Sequence, residues 1–309
     1  MNWFFLSIVA LLCWSGSDLF SKIGCRDARD KYSYLKMVIA VGVVMGIHAI
    51  VEIAGGVVIT WSVILTYLPV SLLYILSMAL GYLGLRYIEL SISSPICNAS
   101  GALVAILAIC TGGASEMVPM QFVAVAMACI GVIGLGVVDA TEDEALRRAR
   151  QEASNYKYAK SWLALALPLA YCLLDAAGTF SDSYVLGILE ERIGEGAEAS
   201  ANVAYELTFL AAGIVCFVYT VIIKRQKLLP KAEAPKYVGA VFETAGQLAY
   251  IYAIADEEHL AMSAPIIASY CAVSVLWSRL FLKEKLSWKH YVAVAVTVAG
   301  IVLMGVFDM

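Results

Sequence analysis

The chain has 309 residues, 61% of them hydrophobic and 15% charged, with a formal net charge of −4. Soluble domains carry roughly 25% charged residues, so this composition excludes a water-soluble globular protein and leaves no room for a separate soluble domain. The cysteines do not suggest a disulfide or metal framework: Cys13, Cys97, Cys110, Cys129, Cys172, Cys216 and Cys271 fall inside apolar spans, Cys25 lies in a short basic loop, and no CxxC pair exists.

Apolar runs of about 20 residues recur along the whole length and predict transmembrane helices. Ten are expected, over residues 3–23, 33–54, 62–85, 91–112, 118–138, 161–186, 201–223, 236–255, 259–282 and 290–307. The first starts apolar at Trp3 without a basic leader and reads as a helix rather than a removed signal peptide. In the second, Gly42, Gly46, His48 and Glu52 dilute the apolar signal. The charged connection 140–160 is expected to form a short surface helix. Two further polar loops are expected at 190–200 and 224–236, the latter carrying Pro230 and Pro235.

Lys and Arg distribute asymmetrically. They flank the first connection (Lys22, Arg26, Arg29, Lys31, Lys36), the third (Arg86) and the fifth (Arg147, Arg148, Arg150, Lys157, Lys160). They also flank the seventh (Lys224, Arg225, Lys227, Lys231, Lys236) and the ninth (Arg279, Lys283, Lys285, Lys289). Of the 21 Lys and Arg, only Arg192 falls on the opposite side. Basic loops stay cytoplasmic, so both termini are expected outside, in a multi-pass protein of a bacterial inner membrane.

The chain contains one unit twice. His290–Asp308 (HYVAVAVTVAGIVLMGVFD) overlays Gln121–Asp139 (QFVAVAMACIGVIGLGVVD) without a gap, and Leu260–Ser269 overlays Leu90–Ala99 at nearly the same offset. The expected organisation is a first repeat at 1–139, a connecting loop at 140–160 and a second repeat at 161–309. A period near half the chain means two copies of one structural unit. Five helices per copy is an odd number, so the second copy enters the membrane inverted. The expected fold is therefore an all-α membrane protein of ten helices in two inverted five-helix repeats. Such repeats place a binding site near the midplane and allow alternating access.

Three stretches carry a family resemblance: WSGSDLFSK (Trp14–Lys22), the Ser- and Pro-containing starts of the fourth and ninth helices (Ser91–Pro95, Ser263–Pro265), and FLKEKLSWKHYVAVAVTVAGIVLM (Phe281–Met304). With these, the chain resembles the drug/metabolite transporter superfamily, specifically its EamA-type members, over essentially its whole length. The resemblance implies a central cavity built from helices one, three, four, six, eight and nine. One departure is that the connection between helices two and three lacks Lys and Arg, whereas many relatives are basic there. That fits an orientation opposite to theirs.

Acidic side chains inside membrane spans cost roughly 2.5–3.5 kcal/mol each on insertion scales, so they usually face a cavity. On the sixth helix, Tyr171, Asp175, Thr179 and Asp182 share a face at i, i+4, i+8 and i+11, with Asp175 near midspan. On the first, Trp14, Ser17, Asp18 and Ser21 form a face, and Asp18 is also within reach of Lys22 as a helix-end ion pair. On the eighth, Glu243, Gln247 and Tyr250 align. Glu206 on the seventh sits near the outer end and is expected to reach water, as are His48 and Glu52, whose i, i+4 spacing could otherwise supply two metal ligands. Helices four and nine add Ser94, Asn98, Ser263, Tyr270, Ser274 and Trp277. Pro95 and Pro265 are expected in first helical turns, where no hydrogen bond is lost, or at irregular starts that free carbonyls for a ligand. Helices five and ten, with Gly131, Gly134, Gly136, Ala295, Ala299 and Gly300, are expected to be structural or dimer-forming.

No phosphate loop, GxSxG, HExxH or other enzyme signature occurs, and no cofactor is implied. The expected function is secondary transport of a small cationic or zwitterionic amine or amino-acid-like metabolite. Trp14, Asp18, Tyr74, Asn98, Tyr171, Asp175, Thr179, Glu243, Gln247, Tyr250, Tyr270 and Trp277 are the candidate substrate residues. Asp18, Asp182, Glu206 and Glu243 are the candidates for coupling or gating. A rival reading has the acids carry coupling protons, or sodium, for a neutral nucleobase, vitamin or sugar derivative. A channel or non-transporting sensor is a third. The expected partners are the substrate, the lipid bilayer and a second copy in a homodimer; nucleic acid is not one.

Overall fold

The computed structural model describes residues 2–27, 29–111, 117–141 and 163–307. Among them there is no strand. The helices, in chain order, are α1 Trp3–Cys25, α2 Ser33–Ala54, α3 Trp61–Tyr87, α4 Leu90–Asn98, α5 Ser100–Cys110, α6 Pro119–Ala140, α7 Leu163–Ile193, α8 Ala197–Phe217, α9 Pro230–Ile254, α10 Leu260–Ala268, α11 Tyr270–Phe281 and α12 Trp288–Phe307. The surface helix expected at 140–160 lies, beyond Thr141, outside the described residues.

Among the described residues, eight segments are long and apolar enough to cross a membrane: α1, α2, α3, Leu90–Cys110, Pro119–Val138, Ala197–Ile223, Leu260–Phe281 and α12. The remaining long helices, α7 and α9, have 31 and 25 residues. α7 carries Asp175 and Asp182, and α9 carries Lys231, Glu233, Lys236 and Glu243. The molecule is an integral, multi-pass membrane protein. Its surface is the reverse of a soluble protein's. Leu12, Ile50, Leu72, Ile106, Ile130, Leu173, Val215 and Val302 point outward, while Ser7, Ser15, Ser71, Ser77, Ser91, Ser263, Ser274 and Ser278 are buried. In hydrocarbon, apolar side chains gain nothing by turning inward, and polar ones must find partners inside.

Helix boundaries follow local chemistry and differ from expectation in several places. Asn2 caps α1 by accepting from the Phe4 amide at 2.7 Å, and Thr60 caps α3 through the Val63 amide at 3.3 Å. Pro230 opens α9 at a first-turn position, so helix covers half of the loop expected at 224–236. Positive φ at Gly194 (68°) and Gly196 (95°) closes the turn between α7 and α8. That turn shortens the loop expected at 190–200 and starts α8 at Ala197. Beyond α8 the chain continues as a π-helical segment, Val218–Ile223.

The fourth and ninth expected helices are each broken, at Ala99 and Ser269. Pro95 is the sixth residue of α4, and Pro265 the sixth of α10. This corrects the first-turn expectation. A proline that deep removes a helical hydrogen bond and crowds the preceding turn, and both helices break four residues later. Ser269 helps close its break, its hydroxyl donating to the Pro265 carbonyl at 2.6 Å.

Packing pairs the two halves in a pattern unchanged by exchanging them. α1 lies on α9 and α7 on α3; α2 lies on α8, α5 on α10, and α6 on α12. Glycines set the closest approaches. A Cβ on Gly42 of α2 would come 2.7 Å from the Phe209 carbonyl of α8, and one on Gly300 of α12 would come 2.6 Å from the Ala128 amide of α6. The small residues of α6 and α12 thus pack on each other within the chain.

Basic side chains from three connections gather on one face. Lys22, Arg26, Arg29, Lys36, Arg225, Lys227, Lys231, Lys236, Lys283 and Lys285 line one polar vestibule. At its floor Lys36 pairs with Asp30 (2.8 Å) and Glu233 (3.2 Å), and Lys236 with Glu233 (2.7 Å), tying α2 to α9. The α3–α4 junction is clamped at both helix ends. Lys22 donates to the Leu85 carbonyl at 2.7 Å and to that of Ile88, while Glu284 accepts from the Leu90 and Ser91 amides at 3.4 and 3.1 Å. A cation at a helix C-terminus and an anion at an N-terminus both oppose the backbone dipoles. Glu284→Ala removes the cap from α4 and is expected to cost about 1–2 kcal/mol, read as a lower melting temperature of the detergent-purified protein.

Candidate functional site

The central cavity is lined from six of the expected spans. α1 contributes Trp14, Ser17, Asp18 and Ser21; α3 contributes Tyr74 and Tyr82; the α4–α5 segment contributes Ser94, Asn98 and Ser100. α7 contributes Tyr171, Asp175 and Thr179; α9 contributes Glu243, Gln247 and Tyr250; and Tyr270 opens α11. α8, a seventh span that is not in the resemblance's set, also reaches the cavity, through Tyr205.

Among the described residues, three carboxyl groups line this space, and no Lys, Arg or His does. Asp18 accepts from the hydroxyls of Ser94 (2.5 Å) and Ser274 (2.8 Å). Lys22, expected within reach of it, sends its ammonium to main-chain carbonyls instead. Asp175 accepts from Ser100 at 2.7 Å. Glu243 is 8% exposed, and its main-chain carbonyl accepts from the Trp14 indole at 3.4 Å. Aromatic rings wall the acids: Trp14 lies 5.0 Å from Tyr250 and 5.9 Å from Tyr270 between ring centroids, and Tyr74 lies 6.1 Å from Tyr250.

Three buried polar atoms in the lining have no hydrogen-bond partner: Ser21 Oγ, Tyr82 Oη and Gln247 Nε2. A buried donor or acceptor left unpaired costs about 1–3 kcal/mol. Three of them converging on one cavity mark a place where a ligand or water completes the hydrogen bonding.

Beyond the cavity, away from the basic vestibule, lies a closed polar cluster. The carboxylate of Asp182 (0% exposed) accepts from Tyr67 at 2.5 Å and from Tyr74 at 3.2 Å. Tyr74 also contacts Tyr250, and both hydroxyls reach Thr179, at 3.2 and 3.3 Å. Asp182 therefore sits behind the lining rather than in it, although helical spacing puts it on the face of Asp175. Tyr67→Phe deletes one donor to this carboxylate and is expected to lower stability by about 1–3 kcal/mol, measured by thermal unfolding.

Glu206 also departs from expectation. It is fully buried and does not reach water. His48 Nδ1 lies 2.8 Å from its carboxylate, and the Asn202 amide donates to it at 3.2 Å. Glu52 stands 3.8 Å from the other ring nitrogen of His48. His48 and Glu52, expected to be solvated separately, belong to this α2–α8 cluster. Trp277 does not line the cavity; its indole donates to Ser15 at 3.2 Å, on the side toward the basic face. Sequence reasoning passed over Tyr67, Tyr82 and Ser100. The first two were legible, since Tyr67, Ser71, Tyr74, Met78 and Tyr82 recur at helical spacing along one face of α3.

Residues 197–306 match the family described as the EamA-like transporter family. The match spans about a third of the chain, so residues 197–306 are similar to this family, which is part of the drug/metabolite transporter superfamily. The matched region runs from the first residue of α8 almost to the end of α12. The members of that family are membrane transporters. No curated protein matches the chain. A solved structure described as "Crystal structure of protein" superposes with a TM-score of 0.66 at 14% identity, covering 99% of this chain and 98% of its own. At that identity the likeness concerns the fold.

Proposed function

We propose that this protein is a secondary active transporter that moves a small organic cation or zwitterion by alternating access. The observation that carries the reading is the charge of the cavity: among the described residues it has three acids, aromatic walls and no basic side chain. Carboxylates recruit an ammonium group, and indole and phenol faces attract the same charge. Substrate-binding roles fall to Trp14, Asp18, Tyr74, Asn98, Tyr171, Asp175, Thr179, Glu243, Gln247, Tyr250 and Tyr270.

Alternating access rests on ten spans in two inverted repeats. The exchange-symmetric packing of the halves supports that arrangement, with α7 and α9 as the spans that complete the eight apolar ones. Orientation rests on the vestibule: basic residues of the first, seventh and ninth connections share one face, so that face is cytoplasmic and both termini are outside. Asp182 and Glu206, each held in a closed polar cluster, act in gating or coupling rather than in substrate contact.

Thermal unfolding of the detergent-purified protein against cationic, zwitterionic, neutral and anionic metabolites tests the reading. A ligand at about 100-fold its Kd adds about 2.7 kcal/mol of stability. Amines are expected to raise the melting temperature, and the effect is expected to vanish in the Asp175→Asn, Glu243→Gln double variant. Stabilisation by neutral compounds alone, persisting in that variant, would move the acids to proton coupling and overturn the substrate class.

A further inference from the structure

Two of the three cavity acids are related by the duplication of the chain. α1 and α7 each open a half, and each carries an aromatic residue four positions before an Asp: Trp14 with Asp18, and Tyr171 with Asp175. The aromatic packs the same way in both. Trp14 covers Gly246 of α9, where a Cβ would come within 2.4 Å of the indole, and Tyr171 covers Gly81 of α3, where a Cβ would come within 2.9 Å of the ring. The α1–α9 and α7–α3 pairs are the two that exchange when the halves are swapped. Each Asp then accepts a hydroxyl from the same broken segment, Asp18 from Ser94 and Asp175 from Ser100.

The two carboxylates are thus fixed at different heights on one rail. Six residues separate Ser94 from Ser100, and helical rise puts them roughly 9 Å apart along the α4–α5 axis. The two hydroxyls hold the carboxylates apart along that axis rather than at one point. Among the described residues, no Lys or Arg lines the cavity beside either carboxylate.

We infer that Asp18 and Asp175 are two equivalent ammonium subsites, one from each half, and that the ligand is a linear dication of the diamine class that spans them. This rests on the proposed transport of organic cations and narrows it. The unpartnered hydroxyls of Ser21 and Tyr82 accept hydrogen bonds from such a ligand, and the Gln247 amide, turned over, presents its oxygen. An amino acid would instead set its carboxylate among three acids with no cation to offset it.

The test is a ligand series on the full-length protein in detergent, read by thermal shift and by competition. The probes are a six-carbon monoamine, the four-, six- and eight-carbon α,ω-diamines, and the six-carbon ω-amino acid. Diamines are expected to bind at least tenfold more tightly than the monoamine, with an optimum length within the series, and the amino acid more weakly than either. Asp18→Asn and Asp175→Asn are each expected to reduce the best diamine to within threefold of the monoamine. The length series in the unaltered protein decides the matter even if a variant folds poorly. Equal affinity for monoamine and diamines would overturn the two-subsite inference and leave cation transport standing. Tightest binding by the amino acid would overturn it in favour of a zwitterion. Absence of binding by every amine would remove the cation reading as well.

Discussion

Asp175→Asn is expected to weaken binding of the best α,ω-diamine by about 30-fold or more. The substitution keeps the shape of the side chain and the Ser100 contact but deletes the charge. Truncating one partner of a sequestered, hydrogen-bonded charge pair costs about 2–5 kcal/mol, and each 1.4 kcal/mol is about tenfold in affinity. Asp175 sits near the middle of α7 and faces the cavity, and no Lys, Arg or His among the described lining residues competes with the ligand for it. Asp182→Asn makes the informative comparison. It lies seven residues further along the same helix but inside the tyrosine cluster, so it is expected to alter stability and leave amine affinity within about threefold. Isothermal titration or competition against a fluorescent amine separates the two.

The largest expected loss of stability is at the α6–α12 contact. Gly300→Val sets a branched side chain where even a Cβ would come 2.6 Å from the Ala128 amide nitrogen and 2.8 Å from the Ala124 carbonyl. Those neighbours are backbone and cannot rotate away, so the helices must part. Overpacking a close contact costs typically 1–3 kcal/mol, and this site is expected at or above the top of that range. In lipid there is little hydrophobic drive to restore the contact, because close packing is itself what holds the helices together. Gly134→Ala is the control: its Cβ would meet only the Ala293 methyl at 3.8 Å, and its melting temperature is expected to stay near that of the parent.

Much of the fold could be read from period and composition. The repeat places the breaks of α4 and α10 at matching positions, and the shared face of Tyr171, Asp175 and Thr179 points into the cavity as 3.6-residue spacing requires. What failed depended on neighbours that one helix does not reveal. Asp18 lies within a turn of Lys22, yet its donors come from α4 and α11, 76 and 256 residues away. Trp277 shares a helical face with Tyr270, but seven residues at 1.5 Å each carry it about 10 Å further along, past the cavity to Ser15. Glu206 was placed too near water because α8 begins at Ala197, earlier than an apolar window detects. The two positive-φ glycines let the chain turn sharply there, and polar residues form its first turns. The expected spans 161–186 and 236–255 correspond to α7 and α9, and the charges they carry include the cavity acids Asp175 and Glu243.

Counterflow in proteoliposomes tests the central claim most directly. Vesicles preloaded with an unlabelled six-carbon diamine are diluted into the labelled compound, and uptake is followed over time. The account predicts transient, saturable accumulation with the unaltered protein and none above empty vesicles with the Asp175→Asn, Glu243→Gln variant. Equal counterflow in both would contradict it, because the acids of the cavity would then have no part in holding the cargo.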